Sequence, residues 1–499
     1  MIRWLMAIAL AVSVTPSRAE TTLRLGLDAL PLSLGNPYRT AAIPSIYVLS
    51  AMFDGLTRLD NAGTLSPWLA TKWESTDNLT WRFTLRDDVH FSNGVPLTAD
   101  AVKAAVDYLA SDAAAAKEGL IREIPALRGA RVIDPHTVEI TLIESDPLFP
   151  RSAAALPVAE PGQWAKLGRE AFSRAPVGTG PFVLERWEAN RGVFKAFAGS
   201  WRKPKVDRLE IIAVPDRSAR VAAVLSGQLD VALGLGPEDV HEIAAAGGKD
   251  VRVPTAQVFG WSYMLTKKIA APLTDVRVRR ALIMATDRKL IVDKLLDGAG
   301  AVANQPASRA SFGYNANIVT LPYDPAKAKA LLAEAGYPNG FAMTLSSAAG
   351  SSAADSEIHQ RIAADLAKIG VKVEIRTTTM AQYLLNISRA GFETDAFVTI
   401  FPSDPNLDAL RPLRLHSCLR REPFYCDQRI MPKIEAALHE ADPVKSVALR
   451  REIMAWYADE APSLFIYEGM RFIGTGAAVG GYAEANGMIA FDKITLSAK

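Results

Sequence analysis

The most constraining position in this chain is Gly370. Before it, Ile358, Ile362, Leu366 and Ile369 recur at helical spacing, and after it 371–375 reads directly as a strand. A helix that stops on a glycine and passes straight into a strand is a joint of α/β proteins, because glycine adopts the backbone angles that end a helix without a connecting loop. The rest of the sequence repeats this texture. Leu23, Leu25 and Leu27 alternate as a half-buried strand requires, as do Trp81, Phe83 and Leu85, and Val138, Ile140 and Leu142. Further strands are expected at 182–187, 209–214, 229–233, 394–400 and 463–467. Thr98, Asp275 and the pair Asp324-Pro325 stand where helix caps belong. Two more helices are expected near 430–441 and 443–460. At 499 residues, several domains' worth of such units are present.

The first nineteen residues read as a leader. Arg3 precedes a run from Trp4 to Val14 that is apolar apart from Ser13, too short to span a bilayer, and Ser17 and Ala19 are small residues at a cleavage site before Glu20. The expectation is a cleaved signal peptide and a periplasmic protein. No cysteine lies near the cut, so a lipid anchor is not expected. Without Arg3 and Arg18, the 56 basic residues become 54, matching the 54 acidic ones. A formally neutral chain lacks the basic excess of a nucleic-acid binder.

Only two cysteines occur, Cys418 and Cys426, and in an exported chain such a pair reads as a disulfide. They lie in 401–427, a long stretch without clear periodicity that also holds His416 and four arginines. Irregular segments of this length inside a domain are usually functional or disordered, and a disulfide favours order.

Catalytic motifs are missing. Gly260-Trp261-Ser262-Tyr263-Met264 begins like a nucleophile elbow but ends on Met264 instead of glycine. Ser200 and Lys203 match a four-residue lactamase pattern without its companions. Six scattered histidines include no pair at helical metal spacing, and no phosphate-binding glycine loop is present. The chain therefore reads as a binding protein rather than an enzyme, with no cofactor.

A family resemblance is carried by specific residues. Phe53-Asp54-Gly55-Leu56-Thr57 is followed by Pro67-Trp68-Leu69-Ala70, Leu79-Thr80-Trp81 and Phe91-Ser92-Asn93-Gly94. Pro176-Val177-Gly178-Thr179-Gly180-Pro181-Phe182, Gly227-Gln228-Leu229-Asp230, the 275–282 helix start and Tyr323-Asp324-Pro325 come later, in order. Together they resemble the family 5 extracellular solute-binding proteins of ABC importers, the dipeptide-, oligopeptide- and nickel-binding family. The resemblance implies a two-lobed periplasmic-binding-protein-like α/β fold of type II with an extra inserted domain. Domain I would comprise 20–45, 176–258 and 472–499, domain II would be 46–175 inserted in it, and domain III, 259–471, would form the second lobe. The chain would cross a hinge near 258–262 and 468–472, trapping ligand by closure and delivering it to a membrane permease complex, as a monomer.

By the same resemblance, Asp404, in the Ser403-Asp404-Pro405 segment after a strand, would pair with a ligand ammonium, with Asp408 as fallback. Trp261, Tyr263, Tyr38 and Phe401 are candidate cleft aromatics. Arg411 and Arg414 are candidates for a ligand carboxylate, alongside Arg420 and Arg421. His416 is the residue a nickel chelate would use. Peptides or peptide-like solutes lead the expected ligands. A nickel chelate, an opine, a sugar or glutathione is the alternative within the class, and a secreted hydrolase, chaperone or chemoreceptor adaptor the alternative outside it.

Overall fold

Alternating leucines at 23, 25 and 27 become the strand Thr22–Leu27, whose inward residues are fully buried. It pairs in parallel with Arg208–Ala213 on one side and Val231–Leu235 on the other. The computed structural model describes residues 20–40, 43–266, 271–348, 355–389 and 391–497; the expected leader at 1–19 lies outside them. No helix among the described residues is long and apolar enough to cross a membrane.

One sheet of 11 strands organises the molecule. Its spatial order is Lys372–Thr378, Ala342–Ala348, Ala396–Pro402, Lys249–Tyr263, Ser463–Thr475, Val231–Leu235, Thr22–Leu27, Arg208–Ala213, Arg191–Ala196 and Phe182–Trp187, with Ala301–Val302 added against Ser463–Thr475. The outer strands at both ends are held by local neighbours. The two long central strands pair antiparallel from Lys249 with Thr475 to Ser262 with Ser463, with a shift in register between Pro254 and Val258. Two separate apolar cores flank that shift. The first includes Leu25, Ile211, Val253 and Ile473; the second includes Trp261, Leu345, Ile362 and Leu464. The fold is thus two-lobed, with one pair of strands belonging to both lobes.

Segment 46–175 carries its own antiparallel sheet, in the order Ala70–Ser75, Thr80–Leu85, Thr137–Leu142, Leu127–Asp134, backed by the helix Ala99–Leu109. The sequence motifs explain how it is fastened. Asp54, 4% exposed, accepts hydrogen bonds from Trp68 Nε1 at 2.8 Å and Thr179 Oγ1 at 2.9 Å, and pairs with Arg202 at 2.9 Å. One buried carboxylate therefore joins three distant motifs through charge-assisted bonds. Gly178 is required beside it, because a Cβ there would lie 2.2 Å from the Met52 carbonyl oxygen.

The Gly370 joint forms as expected. Gly370 has φ of 85°, the Val371 amide donates back to Leu366, and the strand Lys372–Thr378 follows. The strand Ser463–Thr475 is longer than the expected 463–467, and Lys249–Tyr263 has no counterpart among the expected strands.

Candidate functional site

The strand Ala396–Pro402 delivers the chain to a loop packed against the other lobe. Period-two geometry divides its side chains. Phe397 and Phe401 turn into apolar clusters and are 0% and 1% exposed, whereas Val398, Ile400 and Pro402 line a cavity of about 440 Å³. Beyond the strand, Asn406, Asp408, Arg411 and Arg414 line a second, polar cavity of about 390 Å³, whose far wall is Arg122, Ile124, Ser145 and Asp146 from the inserted segment. Volumes of this size are typical of small-molecule sites, roughly 300–1,000 Å³. Along the chain, Asp404 lies between Pro402, which lines the first, and Asn406, which lines the second.

Asp404 Oδ1 is buried and has no partner among the described residues. Burial raises the carboxyl above its ordinary pKa, the nearby Arg411 and Arg471 pull it down, and Glu123 pushes it up. Arg411 ties this loop to segment 46–175, pairing with Glu123 and donating to the Pro402 carbonyl at 3.1 Å. Arg471 pairs with Glu484 at 2.5 Å, and Asn486 of the same hairpin donates to the Pro405 carbonyl at 2.6 Å. A buried carboxylate oxygen left unpaired is costly unless something charged or polar completes it.

Arg151, absent from the sequence-based candidates, also joins segment 46–175 to this loop. It donates from Nε to the Asn406 carbonyl at 2.9 Å and from Nη2 to that of Leu407 at 3.3 Å. Burial lowers its pKa to about 10. The usable signal was a lone arginine between Phe149-Pro150 and the small residues 152–155, a charge inside an apolar run.

Several expected site residues are elsewhere. Tyr38 is 2% exposed, wedged between Tyr108 and Trp164 with ring centroids 5.4 and 5.0 Å away, and burial raises its hydroxyl pKa. Trp261 and Tyr263 lie in the second core, Trp261 donating from Nε1 to His359 Nδ1 at 3.1 Å. Phe401 packs with Val258, Ala303 and Phe465. In each case the aromatic ring is used for core packing: Trp261, Tyr263 and Phe401 sit on inward strand faces, and Tyr38 is buried from a turn. His416 is 2% exposed, lies against Phe401 and Phe424, and shares a 3.2 Å hydrogen bond with Ser262. Burial lowers its pKa to about 3, so it remains neutral. Among the described residues, no group of three or more His, Cys, Asp or Glu is placed to hold a metal ion. Asp408, the fallback for the ammonium, is occupied by Arg450 at 2.7 Å. Arg414 donates to the Arg122 carbonyl at 3.5 Å, and Arg420 holds the carbonyls of Ile387 and Ser388. Cys418 and Cys426 form the expected disulfide.

Two lobes joined by shared strands, with cavities of small-molecule size and a buried, incomplete carboxylate on the loop beside them, define a solute-binding protein of the bilobal kind. Residues 64–412 match the bacterial extracellular solute-binding proteins, family 5, and the chain belongs to that family. It is 30% identical to the glutathione-binding protein GsiB of Salmonella typhimurium over 479 residues, covering 92% of both chains. Its structure is similar to HbpA2 from Haemophilus parasuis, 25% identical, with a TM-score of 0.82 over 96% of this chain and 100% of that one. The fold is shared too with the ABC transporter-associated periplasmic binding protein DppA from Helicobacter pylori in complex with peptide STSA, 22% identical, with a TM-score of 0.76 over 95% and 98%. The protein is therefore a periplasmic solute-binding component of an ABC importer, delivering a small solute to its permease, and not an enzyme.

Proposed function

We propose that the protein captures a small peptide-like solute through its free ammonium group, which Asp404 receives when the lobes close. The observation that carries this reading is the buried Asp404 Oδ1 without a partner, on a loop held against the opposite lobe by Arg411 and Arg151. A carboxylate in so dry a position binds an ammonium strongly and selectively. Lobe 1 is taken as 20–45, 176–258 and 472–499 with 46–175 inserted, and lobe 2 as 259–471; the register shift at 254–258 serves as the hinge. Closure traps the solute because both lobes contact it only in the closed state. Export by a cleaved leader at 1–19 would bring a soluble, unanchored chain to the periplasm.

Glutathione is the second reading, favoured by the curated relative that binds it. It also carries an α-ammonium and so uses the same carboxylate. Native mass spectrometry of protein purified from periplasm, with denaturing release of bound molecules, tests both. Short peptides, or glutathione alone, lost in Asp404→Ala, are the expected results for the two readings. A bound solute with no amine, retained by Asp404→Ala, rejects both.

A further inference from the structure

The larger cavity has a chemistry that the ammonium site does not explain. Its walls include Phe259 stacked on Tyr467 at 4.9 Å, with Ile358, Met380, Leu384 and Ile400, and among the described residues no Asp, Glu, Lys or Arg lines it. Leu384, Ile400 and Met380 are 58%, 40% and 39% exposed, on two neighbouring elements, the helix Met380–Arg389 and the strand Ala396–Pro402. Apolar side chains grouped this way mark an interaction site rather than scattered surface.

Its position in the fold points to a ligand as well. Ala342–Ala348 is parallel to both Lys372–Thr378 and Ala396–Pro402, so the chain moves to one side of its first strand and then returns to the other. The carboxyl ends of strands at such a switch point form a crevice, the usual ligand position in open α/β sheets. Ala348 and Pro402, the last residues of two of these strands, line the cavity. Pro402 is two residues from Asp404, a backbone span of at most about 7 Å.

We infer that this cavity is a specificity pocket, and that the solute carries a bulky apolar side chain on the carbon that bears its ammonium. The inference rests on the Asp404 reading and narrows it to peptides or amino-acid derivatives whose first residue is aromatic or a large aliphatic. A charged group entering here would lose its water and meet no Asp, Glu, Lys or Arg among the described lining residues, whose polar members include Gln257, His359, Tyr383 and Thr399. Glutathione, with two carboxylates and no bulky apolar side chain on the carbon that bears its ammonium, does not use the pocket.

Calorimetric titration of the full-length mature protein with Gly-Gly-Gly, Leu-Gly-Gly, Phe-Gly-Gly, N-acetyl-Phe-Gly-Gly and glutathione tests this. Phe-Gly-Gly and Leu-Gly-Gly should bind at least about tenfold tighter than Gly-Gly-Gly, a gap of roughly 1.4 kcal/mol. Leu384→Lys, a change at an exposed position, should close that gap while leaving the thermal midpoint in place, and Ile400→Asn should do the same. Equal affinities for the three free tripeptides, or a preference that survives Leu384→Lys, overturns the pocket. If Asp404→Asn and N-acetylation have no effect while Leu384→Lys still does, the ammonium reading fails and the pocket survives as an apolar site alone. Binding of glutathione only, or of nothing in the series, removes the inference.

Discussion

Arg151 holds the backbone of Asn406, 255 residues further along the chain, at 2.9 Å from Nε to the carbonyl oxygen. Segment 46–175 thereby grips the loop that carries Asp404. Bonds from a charged donor are worth about 1.5–3 kcal/mol, and the cost of desolvating the guanidinium offsets part of that. Arg151→Met should shift the protein toward its open form. We expect solute affinity to fall about fivefold, a loss of roughly 1 kcal/mol, and small-angle scattering to show a larger radius of gyration without solute. An unchanged radius and affinity would mean the grip is incidental.

If Asp404 receives the ammonium as proposed, binding is proton-linked. Burial raises its pKa, so the empty site takes up a proton at a higher pH than an ordinary carboxyl does. An ammonium binds only the ionised form. Affinity should therefore be full near neutrality and fall toward tenfold per pH unit once the pH drops below that raised pKa. Asp404→Asn should weaken binding about 10- to 100-fold and flatten this pH profile. Calorimetry in buffers of different ionisation enthalpy reads out the proton released.

Asp146 links stability to pH in its own way. Burial raises its pKa to about 6, Asp408 adds to the shift, and Arg414 and Arg450 oppose it. A carboxyl whose pKa is raised by folding favours the folded state below its unfolded value and loses that contribution as pH rises through about 6. Asp146→Asn should raise the melting temperature at pH 7.5 and leave it unchanged at pH 4. Its Oδ1 bond from the Leu148 amide is retained by asparagine. A scan showing the same shift at both pH values would exclude the linkage.

The disulfide between Cys418 and Cys426 closes a loop with a sequence separation of 8 and fixes the segment that brings Phe424 against His416. Loop-closure entropy for this length is about 2–3 kcal/mol. The pair Cys418→Ser, Cys426→Ser should cost about that much in urea unfolding. His416→Ala should likewise lower stability, by about 1–3 kcal/mol through the cavity it leaves, with no change in nickel uptake by native mass spectrometry. Loss of a nickel adduct in His416→Ala would instead restore the metal reading.

Elements with a clean period were legible in the sequence. The helix with Ile358, Ile362 and Leu366 and the strand with Leu23, Leu25 and Leu27 appear where their patterns put them. Lys249–Tyr263 did not announce itself, because it is half-exposed in one lobe, doubly buried in the other, and interrupted by Pro254 and Gly260. The site was legible only in part. Asp404 follows its strand as a motif requires, but sequence cannot tell which face of Ala396–Pro402 is inward, and so Phe401 was expected in the cleft while Ile400 was not. Trp261, Tyr263 and Tyr38 show the same ambiguity, since a large aromatic suits a core and a binding wall equally. Arg151 depends on contacts more than 250 residues away along the chain, which no local pattern encodes.

Lys249–Tyr263 and Ser463–Thr475 stay hydrogen-bonded to each other on both sides of the register shift, so the passage between lobes is a ladder rather than a pair of loose tethers. Such a joint bends elastically instead of swinging freely. The two halves should tumble as one body in solution even when parted, and a protease seeking a slack connector should find the amides there slow to exchange and slow to cut.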